Sequence, residues 1–373
     1  MTQQLDNDVE RPQPTESDHS TIKGYVTMKS QIDSDYLTAQ FGATRSPFLP
    51  NTQIMYAWDS TCLGLLKTCP RLYQYTIIDG WGVRDESIHL RFGIEYHSAL
   101  QDYAIARAKG TTHEDAIRYT IVELHRRVYD WVVDRNQRAG KYKNRETIAG
   151  LVIDYLDHFA DDPAETFILD DGKPAVELSF RFELPWGPGV SGGGKQYMKD
   201  PVDPQGIIEF SQPYLLSGHL DRVVNFSDGL YVMDRKTSMS TLSSYYFNQW
   251  SPNNQMTLYT LAGKIMLNSP IKGVIIDAAQ VLLEKPNAFQ RGFTYRSDDQ
   301  LDEWLVDLRY WLHSAETFAT NGYWPQNDTA CDKFGGCKFR EVCSRSPAVR
   351  EQFLRASFDK LEPDDRWNPL RAR

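Results

Sequence analysis

Two aspartates and a lysine stand on what reads as a pair of adjacent strands: Gly218-His219-Leu220-Asp221-Arg222, then Tyr231-Val232-Met233-Asp234-Arg235-Lys236-Thr237. Val223, Val224, Leu230, Val232 and Met233 supply the apolar, β-branched flanks that strands favour. Asn225 to Gly229 is polar and ends in Asp228-Gly229, a dipeptide suited to a tight hairpin. Pairing the strands about that turn brings Asp221 towards Asp234 and leaves Lys236 on the same face as Asp234, because side chains alternate along a strand. Two carboxylates brought together repel, and a divalent cation relieves the repulsion. Oxygen donors suit Mg²⁺ or Mn²⁺, ions that keep waters and bind phosphates. A lysine beside them can orient or deprotonate an attacking water and stabilise charge developing on a phosphorane. The plainer alternative is an ordinary hairpin with solvated charges, and D-x-K alone is too common a triplet to decide.

The whole string, G-x-x-D-R, a short turn and an apolar strand ending D-x-K-T-S, resembles the PD-(D/E)XK nuclease superfamily and, within it, the RecB-type branch. The resemblance implies metal ligation by Asp221, Asp234 and the backbone carbonyl of Arg235, with Lys236 as the catalytic lysine. His97, in Gly93-Ile94-Glu95-Tyr96-His97, lies at helical spacing from Ile94, Leu100 and Ala104 and read alone is a core residue. The family's G-x-x-x-H helix implies instead that it joins the metal site. Glu177 is a solvated residue on the polar side of the strand before the hairpin; by resemblance it is a secondary candidate near the metal. Gln255 and Tyr259 share one helix face. The family's Q-x-x-x-Y helix implies that Gln255 serves the active site and that Tyr259, with Arg222, meets DNA. Tyr245, Tyr246, Phe247 and Trp250 could stack on bases or pack a loop.

Five cysteines, an odd number, argue against a disulfide framework. Three of them form Cys331-x5-Cys337-x5-Cys343. Structural zinc sites use closer pairs, whereas wide spacings with a remote fourth thiol suit a [4Fe–4S] cluster. Cys69 is the fourth, in Cys69-Pro70-Arg71-Leu72-Tyr73, and Cys62 is left over. A C-P-R-x-x-Y start paired with a C-terminal trio resembles the layout of RecB-like nucleases with an iron–sulfur staple, including CRISPR-associated exonucleases. The spacing here is wider than in many of them and leaves zinc open.

The 373 residues carry 41% hydrophobic and 24% charged side chains, as in a globular protein, with a net charge of −9. That charge opposes a protein coating nucleic acid over its whole surface, though Arg126, Arg127, Arg135, Arg138, Lys141, Lys143 and Arg145 concentrate locally. No apolar run is long enough for a bilayer and no signal pattern opens the chain, so the expectation is no membrane contact and a cytoplasmic location, the host's if the gene is phage-borne.

Residues 1–21 read as a disordered arm and 22–162 as mainly helical, carrying Cys69 and His97. A helical pattern over 58–75 is predicted to open at Ser60, with a kink or boundary at Pro70, and further helices over 93–108, 114–134 and 147–159. Residues 163–325 hold the strands at 175–184, in the hairpin, at 273–283 and at 289–295, the helices at 255–266 and 298–320, and a Gly/Pro-rich insertion at 185–212. The cysteine segment and a charged tail fill 326–373. The fold class expected is α/β, a restriction-endonuclease-like core with a mixed central sheet flanked by helices.

The resemblance implies a metal-dependent DNA exonuclease with a [4Fe–4S] cluster, acting on single strands or duplex ends in recombination, repair, or phage or CRISPR DNA processing. The alternatives are a structure-specific endonuclease and a non-catalytic DNA-binding subunit of a helicase–nuclease assembly. The chain has no G-x-x-x-x-G-K-[ST], so unwinding must come from a separate helicase or recombination protein.

Overall fold

The structure, a computed structural model, describes residues 47–371 apart from 50–51, 85–86, 185, 189–194, 200–206, 212, 228, 268, 284–285, 334–335 and 363–364. The arm expected at 1–21 lies outside the described residues.

A short strand, β1 (Ala57–Trp58), leads to Asp59, whose carboxylate accepts from the Cys62 amide and caps α1 (Ser60–Thr68). Pro70 has no N–H to continue that helix, so α2 (Pro70–Tyr73) starts afresh beyond Cys69. The start at Ser60 and the boundary at Pro70 are the expected ones, and Trp58 before them lies in a strand. After β2 (Trp81–Gly82) come α3 (Ile88–Ala108), α4 (His113–Val128), α5 (Arg138–Tyr142) and α6 (Arg145–His158). α3, α4 and α6 start before the predicted 93, 114 and 147 because polar residues set them: Ser87 caps α3, and Asn144 forms a capping box with Thr147 at α6. α4 stops at Val128, short of the predicted Asp134, yet Trp131 beyond it still turns into the core.

Strands follow: β3 (Glu165–Thr166), β4 (Val176–Glu183), β5 (Lys195–Lys199), β6 (Ile207–Ser211), β7 (Leu215–Phe226) and β8 (Gly229–Ser238). Then come α7 (Ser244–Asn248), α8 (Asn254–Met266), β9 (Ile271–Gln280), β10 (Ala288–Thr294) and α9 (Asp298–Thr320). The C-terminal segment holds α10 (Arg340–Cys343), α11 (Arg350–Ser357) and β11 (Asp359–Lys360), which pairs with β2.

The central sheet runs β1-β7-β8-β9-β10, with β3 and β4 also paired to β7. It is mixed: β1 with β7 and β8 with β9 are parallel, the other pairs antiparallel. The β7–β8 hairpin closes from Arg222↔Met233 to Phe226↔Gly229. Asn225, expected in the turn, still pairs with Leu230; of the predicted Asp228-Gly229 turn, Asp228 lies outside the described residues and Gly229 opens β8. The stretch predicted as an insertion contains its own two-stranded ladder, β5 with β6.

The main core joins α1, α8 and α9 to the sheet through Leu66, Leu216, Val232, Leu258 and Leu308. A second cluster builds on α3, α4 and α6 (Phe92, Tyr96, Leu124, Leu151) and includes Ala279 and Val281, so the helical segment shares a core with the sheet. In a third, Tyr75 and Trp81 meet Phe339, Val342 and Phe358, tying the C-terminal segment to the chain after α2. The result is the expected mixed α/β architecture. Among the described residues no helix is long and apolar enough to cross a membrane.

Two glycines test this packing with opposite signs. A Cβ on Gly273 in β9 would lie 2.6 Å from the Thr294 carbonyl oxygen, while one on Gly64 in α1 meets nothing within 4 Å. Gly273→Ala should cost about 1–3 kcal/mol, and Gly64→Ala should gain roughly 0.5–1 kcal/mol through helix propensity. Urea midpoints check both, and a Gly273→Ala midpoint equal to wild type contradicts the strand register.

Candidate active site

β7 and β8 bring Asp221 and Asp234 below the surface, to 4% and 1% exposure. The Arg235 amide donates to Asp221 Oδ2 at 3.0 Å, and His97 Nδ1, from α3, lies 3.2 Å from the same oxygen. Lys236 Nζ stands 2.6 Å from Asp234 Oδ2 and donates to Gln255 Oε1 at 3.1 Å. Gln255 Nε2 in turn donates to Tyr259 Oη at 3.0 Å, one turn further along α8. Asn253 fixes where this helix begins by accepting from the Gln255 and Met256 amides. His97, Asp221, Asp234, Lys236, Gln255 and Tyr259 all line one open cleft of about 310 Å³.

Glu177 departs from the solvated position that strand alternation predicts. Val176 faces Arg222 and Leu178 faces Leu220, which sets Glu177 opposite Asp221. Its φ is +49°, in the left-handed region. For a residue with a Cβ that conformation costs on the order of 1–3 kcal/mol, and such strain concentrates at functional sites. His97, Glu177 and Asp221 each offer a donor atom, and these atoms lie within 4.8 Å of one another. One imidazole with surrounding carboxylates, close to buried Asp234, is a donor set that fits a hard divalent cation.

The sequence matches the family model described as the PD-(D/E)XK nuclease superfamily over residues 61–344, well over half the chain. The chain belongs to the PD-(D/E)XK nuclease superfamily. A search of curated proteins finds no match. PD-(D/E)XK nucleases are metal-dependent, using ions such as Mg²⁺ or Mn²⁺, and the donors gathered in this cleft are of the type such ions take.

The electrostatics of this PD-(D/E)XK site are those of charge buried without enough water. Burial pushes the Asp234 carboxyl up to about 6, an effect that Lys236 moderates and Asp221 reinforces. Burial acts on Asp221 in the same sense, but His97, Lys236 and the Arg235 amide overcome it and hold that carboxyl well below the usual range. His97 loses by burial and gains more from Asp221, so its imidazole is raised above its ordinary value.

Other candidates are placed differently. Arg222, expected to meet DNA, turns away from the cleft and donates to Thr166 Oγ1 at 2.9 Å and the Ala164 carbonyl at 2.7 Å. Strand parity explains this: Arg222 is one residue from Asp221 and takes the opposite face. The basic concentration on α4–α6 is partly ion-paired. Arg127 pairs with Glu95 and Asp102, Arg126 with Glu123 and Arg135 with Glu146. Lys143 is buried and donates to Thr237 Oγ1, and burial lowers its ammonium to about 8. Tyr245 is exposed, whereas Phe247 and Trp250 pack on the main core.

Two features had no signal in the sequence. The Trp250 ring lies 5.4 Å from Lys236 Nζ, a cation–π contact that steadies the ammonium. The C-terminal tail, from Asp365 to Arg371, forms one wall of the cleft, anchored where Trp367 Nε1 donates to Asp59 Oδ2 at 2.9 Å.

The second predicted constellation also converges. Cys69, Cys331, Cys337 and Cys343 line one small pocket with Leu72, Tyr75 and Phe339. The Asn327 amide donates to Cys69 Sγ at 3.3 Å. Cys62 is elsewhere, fully buried, with its thiol 3.4 Å from Met55 Sδ.

Metal binding should therefore be proton-linked. Below about pH 6 Asp234 carries a proton and His97 is an imidazolium, and a cation must displace both. Affinity for Mn²⁺ should fall with decreasing pH, by up to about tenfold per unit for each proton displaced. His97→Ala should remove one proton from that slope. Calorimetric titrations at several pH values measure it, and an affinity independent of pH counts against both residues as ligands.

Proposed function

We propose that the protein is a metal-dependent DNA exonuclease of the RecB-like type, with Asp221, Asp234, His97 and Glu177 holding the cation and Lys236 as the catalytic lysine. The observation that carries this reading is the single cleft in which His97, Asp221, Asp234 and Lys236 converge with Gln255 and Tyr259, with a Glu177 oxygen within 4.8 Å of the His97 and Asp221 donor atoms. A divalent ion held there supplies Lewis acidity towards the phosphodiester and lowers the pKa of a bound water. The backbone carbonyl of Arg235 lies between the Asp234 and Lys236 side chains along β8 and is the further ligand proposed.

The chain's own groups do the positioning. The Arg235 amide fixes the Asp221 carboxylate, so that its other oxygen keeps one orientation. Gln255, itself held by Tyr259, aligns the Lys236 ammonium, which lies beside Asp234 with Trp250 behind it. An ammonium locked in this way can orient the attacking water and meet the negative charge that builds on the phosphoryl oxygens. Tyr259, whose ring packs in the main core, is proposed to meet the DNA strand through its edge at the cleft. The tail wall favours action at ends: with the cleft closed along one side by the segment around Trp367, a free strand end enters more readily than the middle of a duplex.

The four cysteines are proposed to hold a [4Fe–4S] cluster. The donor set fits: four thiols meet at one apolar pocket, and an amide already donates to one sulfur, as hydrogen bonds to cluster sulfurs do. A cluster there ties the segment around Cys69 to the C-terminal segment, closing a very long loop. The processes that suit such an enzyme are recombination, repair, or phage or CRISPR DNA processing, with unwinding by a separate helicase or recombination protein.

With end-labelled and circular single-stranded DNA in Mn²⁺, the wild type should degrade linear DNA and spare circles. Lys236→Ala and Asp234→Ala should each lower the rate at least about 10²-fold, with circular dichroism showing the fold retained. Cleavage of circles at the linear rate would make the enzyme an endonuclease, and undiminished rates in both variants would remove the catalytic assignment. Anaerobically purified protein should be brown with about four irons per chain, lost in Cys69→Ser and kept in Cys62→Ser. Stoichiometric zinc in place of iron contradicts the cluster.

A further inference from the structure

Behind β8 lies a second polar pocket, on the opposite side of the strand from the catalytic cleft. Strand alternation sends Arg235 there, away from Asp234 and Lys236. Its side chain is only 2% exposed, yet Nε and Nη1 have no hydrogen-bond partner among the described residues. With Arg222, Tyr103, Arg107 and Tyr155 it lines a pocket of about 230 Å³ that opens between α3, α6 and the β3 region.

The acids nearby are already taken. Asp162 accepts both Nη groups of Arg291, at 2.6 and 2.9 Å. Asp277 accepts Arg291 Nε at 3.1 Å and a short hydrogen bond from the Tyr155 hydroxyl. Arg222 reaches Asp162 only at 3.6 Å. Arg222, Arg235 and Arg291 share two acids, Asp162 and the buried Asp277, and Arg107 adds a further guanidinium at the pocket; Glu165 also lines the pocket, but at its solvent edge. A buried guanidinium with unpaired N–H groups is costly to maintain, and an oxyanion is what those groups are shaped to receive. Two arginines converging on one small cavity select planar or tetrahedral oxyanions, phosphate above all.

We propose that this rear pocket is a binding site for a phosphoryl group, with Arg235 and Arg222 as its cationic donors and Tyr103 and Arg107 at its mouth. The ligand is either inorganic phosphate or the terminal phosphate of a mononucleotide. The site stands on this pocket alone and does not depend on the nuclease reading.

Calorimetry with metal-free protein in EDTA, using inorganic phosphate and separately deoxyadenosine 5′-monophosphate, distinguishes the two sources. Saturable one-site binding is expected. A tighter mononucleotide identifies a nucleotide end as the ligand, and equal affinities identify free phosphate. Arg235→Met and Arg222→Met should each weaken binding at least about tenfold, the loss expected for a charge-assisted hydrogen bond. Lys236→Ala, which alters only the front cleft, should bind phosphate as the wild type does. Arg235→Met replaces a buried charge with an apolar chain of similar length, which favours retention of the fold. Should it still fail to fold, Arg222→Met gives the same reading. No binding by the wild type, or binding lost in Lys236→Ala and kept in the arginine variants, overturns the proposal.

Discussion

Asp221 and Asp234 are buried side by side, and a protein interior does not tolerate two carboxylates without compensation. The surroundings of the pair are arranged to supply it. α3 brings His97 to Asp221, β8 brings the Arg235 amide to the same carboxylate and Lys236 to its neighbour, and β4 accepts a left-handed backbone that places Glu177 opposite Asp221. Burial pushes the Asp234 carboxyl up and Asp221 raises the His97 imidazole, so both take up a proton as the pH falls. A site whose donors are carboxylates and an imidazole of this kind exchanges protons for a divalent ion on binding it.

The same strand divides two chemistries. Asp234 and Lys236 look into the cleft, while Arg235, between them, points into the network of Arg222, Asp277, Arg291 and Asp162 behind the sheet. Arg235 joins the two through its backbone, since its amide holds Asp221 while its guanidinium lines the rear pocket. Parallel pairing of β8 with β9 supplies the register Arg235↔Asp277, so the acid that answers this basic cluster comes from the next strand.

Much of this was written locally in the sequence. The hairpin residues, the helix carrying His97 and the Gln255–Tyr259 face are short-range patterns, and the mixed sheet flanked by helices that was expected is the one found. Boundaries slipped where polar caps rather than apolar spacing decide, as at Ser87 and Asn144. Long-range features carried no local mark. Glu177 alternates as a solvated residue would, and only its backbone conformation and its strand partner reveal otherwise. Arg222 sits beside a site residue in sequence but on the other face in space. The basic run on α4–α6 looked like a nucleic-acid surface until its acidic partners, Glu95 and Asp102 among them, came from a neighbouring helix. Trp367 reaches the cleft from a tail whose sequence says nothing of it, and the contact of Trp250 with Lys236 had no local mark either.

The central claim is that the buried aspartates form one metal centre with His97 and Glu177. Anomalous diffraction from crystals soaked in Mn²⁺, recorded at the manganese edge, tests it most directly. The account predicts a peak within coordination distance of His97, Glu177, Asp221 and Asp234, and its disappearance in Asp221→Asn. A strong peak elsewhere in the molecule with none in this cleft contradicts it.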